Sequence, residues 1–293
     1  MLRALLKTMR PKQWAKNGFI FAAAIFDGKL THPDVFLVTL AGFLLFCLLS
    51  STVYIINDLA DIEADRQHPT KRFRPIPSGR LPIRTARFAA IVFIIIVFPL
   101  AYLISPLFAL FCLVYLGINL AYSSWLKHIP IMDVLVLASL YVLRVGAGVA
   151  LVNAVSQIGR FSPWLYVFTT FLALFLGVGK RRAELNLLEG AANSHRKVLE
   201  GYTLPLLDQL ITIVISMTII TYSLYTFSAE NLPPNHTMML TIPFVIYGIF
   251  RYLYLVEVHH SGGAPEEVLF ADRPLQVTIF LWGLTIFLIF YVF

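Results

Sequence analysis

The residues best able to do chemistry in this chain lie in one stretch, NDLADIEADRQHPTKRFRPIPSG at 57–79. Asn57, Asp58, Asp61 and Asp65 come first, and Arg66, Lys71, Arg72, Arg74 and Arg80 follow. On a helix, positions 58, 61 and 65 are i, i+3 and i+7, so they share one face, with Asn57 beside them. Three carboxylates on one surface repel one another unless a cation joins them. Hard oxygen ligands in that number suit Mg2+, which binds through one or two carboxylates together with substrate phosphates. Seven bases stand between Arg66 and Arg87, and Lys71, Arg72 and Arg74 can grip phosphate oxygens. Metal-binding acids followed by phosphate-binding bases predict a diphosphate or polyphosphate substrate. A solvated helix end with a basic loop would explain the Lys and Arg alone. It would not explain three acids on one stripe in a chain with eight Asp.

The elements that position these residues must cross a bilayer. Of 293 residues, 58% are hydrophobic and 13% charged, and mean hydropathy is +0.78. A soluble domain would carry about 25% charged residues. A spanning helix needs about 20 mostly apolar residues. Nine segments qualify: 14–30, 35–57, 86–104, 106–123, 131–151, 163–180, 205–228, 238–256 and 273–293. The expected fold is all-α, a polytopic membrane protein with about nine transmembrane helices in one bundle, and residues 1–293 form a single domain. The basic lead and short apolar run at the N-terminus have some features of a signal peptide. The lead is long, however, and Asp27-Gly28 makes a turn rather than a cleavage site. Segment 14–30 therefore reads as a basic amphipathic entry and a first, short span. Cys47 and Cys112 both lie in apolar runs and read as small core residues, not a disulfide or a metal site.

Sidedness follows from Lys and Arg in the short loops. With the N-terminus inside, segments 1–16, 58–87, 124–130, 180–204 and 257–273 hold 19 of the 23 Lys and Arg. Lys29 and Arg160 fall outside, and Arg144 and Arg251 fall within spans. The N-terminus is then cytoplasmic, the protein lies in the cell (inner or plasma) membrane, and the acidic-basic stretch faces the cytoplasm. Arg144 follows Asp133 by nearly three helical turns, so it faces the same way about 16 Å deeper. A charge at that depth should face the protein interior. It could bind a lipid phosphate or brace an acid, and bracing is preferred.

The pattern N57-D58-x-x-D61-x-x-x-D65, then H68-P69-x-K71-R72-x-R74-P75-I76-x-x-G79, resembles the first aspartate motif of the UbiA superfamily of intramembrane prenyltransferases. The nine-span layout is similar to that superfamily too. The resemblance implies that Asn57, Asp58, Asp61 and Asp65 hold Mg2+ on a substrate diphosphate, with Asp58, Asp61 and Asp65 as the catalytic acids. It also implies a cytoplasmic active site opening into a lipid-filled groove.

One departure is informative. Typical aromatic prenyltransferases of the superfamily carry a second motif, D-x-x-x-D, after the sixth span. Here the matching loop reads G177-V-G-K180-R181-R182-A-E184-L, with bases in place of acids. R10-P11-K12-Q13-W14-A15-K16-N17 adds bases on the same side, as does Y122-S123-S124-W125-L126-K127, followed by Asp133. Together these features resemble the decaprenyl-phosphate phosphoribosyltransferase branch. Its members move 5-phosphoribose from phosphoribosyl diphosphate (PRPP) to a polyprenyl phosphate and release diphosphate, for cell-envelope arabinose donors. PRPP has a diphosphate for Mg2+ and a separate 5-phosphate for bases. On this resemblance the substrate-binding candidates are Lys16, Asn17, Lys71, Arg72, Arg74, Tyr122, Lys127, Asp133, Arg144, Lys180, Arg181 and Glu184. Lys180, Arg181 and Lys16 either take the 5-phosphate or brace the acids. Several have plain alternatives: Lys180 and Glu184 as an i, i+4 helix pair, Lys16 and Lys127 as positive-inside residues, Asp133 as a helix N-terminal acid.

Two other functions compete. One is a prenyltransferase moving a prenyl chain from prenyl diphosphate to an aromatic acceptor, which the missing second motif disfavours. The other is a transporter or lipid-binding protein, for which an internal repeat would be expected and none is found. The expected partners are a polyprenyl phosphate lipid, PRPP and the bilayer, with no nucleic acid. An oligomer is compatible with all of this.

Overall fold

A computed structural model describes residues 1–156, 162–189, 197–230, 232–259 and 265–292. Arg160, one of the two bases assigned to outside loops, lies outside the described residues. The chain is helical throughout, with no strand among the described residues. Helix α1 is Leu2–Met9, and a 3-10 segment, Pro11–Phe21, leads into α2, Ala22–Phe26. Then come α3 (Pro33–Ala60), α4 (Ile62–Gln67), α5 (Ile83–Ile104), α6 (Pro106–Ser124) and α7 (Met132–Val155). The rest are α8 (Pro163–Glu189), α9 (Leu204–Ser228), α10 (Ile242–Glu257), α11 (Pro265–Ala271) and α12 (Arg273–Tyr291).

The punctuation is local chemistry. Pro33, Pro106 and Pro163 open their helices, where a missing N–H costs nothing and φ is already helical. Thr203 and Asp272 cap α9 and α12, their side-chain oxygens accepting from the amides of Leu206 and Leu275.

Among the described residues, eight helical segments are long and apolar enough to cross a membrane: Pro33–Ala60, Ile83–Ile104, Pro106–Ser124, Met132–Val155, Pro163–Asn186, Leu204–Ser228, Thr237–Glu257 and Arg273–Tyr291. The first candidate span, 14–30, does not join them. Lys16 and Asn17 interrupt its apolar run, and the chain there forms the end of the 3-10 segment and the short α2.

The chain divides into two compact units. Unit 1 is Met1–Ile25, Lys29–Ser124 and Leu143–Gln157; unit 2 is Phe26–Gly28, Trp125–Val142 and Ile158–Phe293. In unit 1, α3 packs against α1, α5 and α6. Met9, Ile55, Ile76, Leu81, Ala86 and Ala90 form a buried cluster beneath the 57–80 stretch. Unit 2 is built on the α8–α9 pair and on α10 against α12, around Phe175, Leu207, Ile211 and Tyr252.

Candidate active site

In unit 1 the acidic stretch caps α3. The helix yields at Asp61, whose φ of −95° and ψ of 14° leave the helical well, and resumes as α4. Asp58 and Asp65, each 2% exposed, remain on one side. They meet at Arg74, whose Nη1 lies 3.2 Å from Asp58 Oδ1 and 2.7 Å from Asp65 Oδ2. Arg10 Nη2 donates to the same Asp58 oxygen at 2.6 Å. Two buried carboxylates are thus balanced by two guanidiniums. Asp61 lies on the bend and is exposed.

Among the described residues, no three His, Cys, Asp or Glu side chains come together as a metal-binding group. The expected convergence of three carboxylates is therefore corrected. The bend at Asp61 takes its carboxylate to the surface, and arginines neutralise the other two. The donor chemistry still fits a hard divalent cation. One amide oxygen donor (Asn57) and four carboxylates (Asp58, Asp61, Glu63 and Asp65) fall within residues 57–65. Asp61 makes no ion pair among the described residues and is open to a cation.

The bases divide by burial. Lys71 and Arg72 are exposed on a 3-10 turn, Lys71–Phe73, that His68 holds by accepting from the amides of Thr70 (3.2 Å) and Lys71 (3.3 Å). Arg72 lies over the Phe73 ring, 4.8 Å from its centroid. Arg74 is half-buried, with its guanidinium on the acids.

Arg10 reaches Asp58 from an unusual backbone. It ends α1 in the left-handed region, φ 54° and ψ 63°, directly before Pro11. That conformation costs a non-glycine residue roughly 1–2 kcal/mol. Its neighbours hold it. Ser51 Oγ donates to Cys47 O at 2.6 Å and lies 3.3 Å from Met9 O, and Trp14 Nε1 donates to Ser51 Oγ at 3.1 Å. The Arg10 guanidinium stacks 4.7 Å from the Tyr54 ring centroid.

A second buried polar group in unit 1 surrounds Asn17. Its Nδ2 donates to Cys47 Sγ (3.3 Å) and Ser50 Oγ (3.2 Å), and its Oδ1 accepts from Arg144 Nε at 2.9 Å. Arg144 Nη2 donates to Tyr115 OH at 3.0 Å. The contact depends on Gly148, one turn along α7. A Cβ there would lie 2.1 Å from the Ile20 carbonyl oxygen. Lys16 and Tyr122 are half-buried in the same unit.

In unit 2, Asp133 is fully buried and Arg181 is 1% exposed. Arg181 Nε donates to Asp133 Oδ2 at 2.5 Å, and its Nη1 donates to Glu184 Oε2 at 2.5 Å. Tyr202 OH donates to Asp133 Oδ1 at 2.6 Å and accepts from the Ile131 amide at 2.6 Å. Burial, and next the bond to Asp133, push the Tyr202 phenol above its usual range, so it stays protonated at neutral pH. Ile131 has φ of 68°, a strained state for a β-branched residue. Gly201 lets the two segments touch: a Cβ there would meet Pro130 Cγ at 2.4 Å. Lys127 is half-buried on the 3-10 turn Leu126–His128, and Lys180 is half-buried beside Arg181.

Sequence reasoning did not single out Arg10, Tyr115 or Tyr202. Arg10 carried a weak signal, an arginine fixed by a following proline. The two tyrosines carried none, because their roles rest on contacts to residues far away in sequence.

Comparisons with known proteins extend over nearly the whole chain. The profile of the UbiA prenyltransferase family matches residues 18–261. The decaprenyl-phosphate phosphoribosyltransferase of Mycobacterium tuberculosis is 34% identical over 290 residues, 98% of this chain and 94% of that protein. The enzyme of the same name from Corynebacterium glutamicum is 34% identical over 98% of this chain and 87% of its own length. Among solved structures, a UbiA homologue from Archaeoglobus fulgidus bound to DMAPP and Mg2+ superposes with a TM-score of 0.72 at 20% identity, over 99% of each chain.

Proposed function

The chain belongs to the UbiA prenyltransferase family and is a transferase with many membrane-spanning helices, and from that premise we propose that it transfers 5-phosphoribose from PRPP to a polyprenyl phosphate, releasing diphosphate. The carrying observation is the stretch 180–184 near the end of helix α8. Where aromatic prenyltransferases resembling this chain have acids, it has Lys180 and a buried Arg181 bound to Asp133 and Glu184. The names and the nearly complete overlap of the relatives support the same reading.

In this reading the 57–74 stretch binds the diphosphate of PRPP. Mg2+, when bound to Asn57, Asp58, Asp61 and Asp65, supplies positive charge to the leaving group. Lys71 and Arg72, exposed on their turn, contact its outer oxygens. Arg181, already committed to two carboxylates, braces Asp133. Lys180 takes the 5-phosphate. Arg144 orients Asn17. As the C1–O bond to diphosphate breaks, positive character develops at ribose C1, as in other glycosyl transfers. An oxygen of the lipid phosphate forms the new bond from the opposite face and inverts C1. That nucleophile is anionic at neutral pH, so the protein supplies position and charge rather than a strong base. We further propose that residues 1–293 work as one domain in the cell membrane, with this chemistry facing the cytoplasm.

The test is a transfer assay on purified protein in detergent with polyprenyl phosphate, Mg2+ and ribose-labelled PRPP. A parallel reaction contains labelled prenyl diphosphate and 4-hydroxybenzoate. Label passing from PRPP into the organic phase, and stopped by EDTA, is the expected result. Label moving only in the parallel reaction would replace this reading with aromatic prenylation. Asp58→Asn and Asp61→Asn are each expected to abolish transfer in protein that still folds.

A further inference from the structure

We propose that Arg10 and Arg74 are exchangeable counter-cations: they occupy the carboxylates of the aspartate motif until metal and diphosphate arrive, then turn to the diphosphate. The geometry points to this because the metal-ligand candidates and the anion-binding candidates consume one another. Asp58 Oδ1 accepts from Arg10 at 2.6 Å and from Arg74 at 3.2 Å, and Asp65 Oδ2 accepts from Arg74 at 2.7 Å. Two negative charges meet two positive ones in a site where both acids are buried. A divalent cation on these carboxylates would displace both guanidiniums. The freed guanidiniums carry the charge, and the planar donor fork, that phosphate oxygens accept. Opposite charges enter together when cation and diphosphate bind as a pair, so each released group meets a new partner. Either one alone leaves two buried or half-buried charges without a partner, which is costly.

Arg10 is built for this. Its backbone is pinned to α3 through Met9, Ser51 and Trp14, while its side chain is 31% exposed. The stem stays put, and the guanidinium can pivot over the Tyr54 ring. Metal and diphosphate should therefore bind as a pair, each weak by itself.

The inference relies on the reading above only for the kind of anion, and its test uses neither PRPP nor lipid. Mn2+ binding to the full-length protein in detergent is measured by electron paramagnetic resonance, without phosphate. Arg10→Gln removes a competitor for Asp58 and should bind Mn2+ about tenfold more tightly than wild type, the worth of one charged hydrogen bond. Arg10→Lys keeps the charge and should stay near wild type. Arg66→Gln removes an exposed charge paired only with Glu63 and should change nothing. The mirror arm measures inorganic pyrophosphate binding in EDTA, where Asp58→Asn should bind about tenfold more tightly because Arg10 is released and Arg74 is left with Asp65 alone. Mn2+ affinity that is equal or lower in Arg10→Gln, Mn2+ bound by neither protein, or pyrophosphate binding unchanged in Asp58→Asn would overturn the exchange. Transfer activity can survive any of these results, so the two readings fail separately.

Discussion

Replacing Arg181 with Met asks what the buried cluster of unit 2 contributes. Asp133 would keep the Tyr202 hydroxyl but lose the guanidinium 2.5 Å away. Both side chains sit at the burial limit, 1% and 0% exposed, so the carboxylate cannot recover the loss from water. Breaking one side of such a pair costs about 3–5 kcal/mol. The pair Arg66–Glu63 supplies the contrast. Its side chains are 50% and 80% exposed, and Arg66→Gln should cost under about 1 kcal/mol. Removing both charges is a different perturbation. Arg181→Met with Asp133→Leu leaves no buried unpaired ion and should recover most of the loss, within about 1–2 kcal/mol of wild type. Unfolding in mixed micelles, followed by tryptophan fluorescence, gives all four corners of the cycle. The double variant should fold and lack transferase activity. The reasoning is refuted if Arg181→Met costs no more than Arg66→Gln, or if the double variant falls at the sum of the singles.

Lys180→Ala should raise the KM for PRPP about tenfold or more, the scale of one charged hydrogen bond, with kcat changed less. Ordinary PRPP kinetics would make Lys180 a structural residue. Gly148→Ala should lower the midpoint of thermal unfolding, because the new Cβ would stand 2.1 Å from the Ile20 carbonyl oxygen and overpacking costs about 1–3 kcal/mol. Gly18→Ala, with nothing within 4 Å, should leave that midpoint in place. The hydrogen bond from Arg251, with help from the Leu275 amide, holds the Asp272 carboxyl below its usual range. A lowered folded value gives stability that is fully present above the unfolded value of 3.8 and is lost as pH falls through the folded one. Melting curves taken downward from about pH 5, where that loss begins, should flatten in Asp272→Asn.

Hydropathy alone gave the spans with small errors. Segments 35–57, 86–104 and 106–123 became Pro33–Ala60, Ile83–Ile104 and Pro106–Ser124, because ends near Pro and polar residues are set locally. Segment 14–30 is not one long helix, because Lys16 and Asn17 are polar breaks that only tertiary contacts explain: Asn17 is fully buried, and Arg144 is its partner. Helical periodicity placed Asp58 and Asp65 on one side correctly, but it could not foresee the bend at Asp61 or the reach of Arg10. The same limit applied to Tyr202. A hydroxyl that clasps Asp133 and Ile131 from 69 and 71 residues away leaves no local trace.

The discontinuity of unit 1 also sets an order of assembly. Asn17 and its Arg144 partner are 127 residues apart, and Ile20 cannot seat until Gly148 arrives. At synthesis rates of about 5–20 residues per second, the N-terminal segment waits roughly 6–25 seconds for the wall it packs against. Arg74 follows Asp65 within nine residues, so the ribosome delivers one counter-cation almost at once. Arg10, though made first, can settle on Asp58 only after α3 has been inserted.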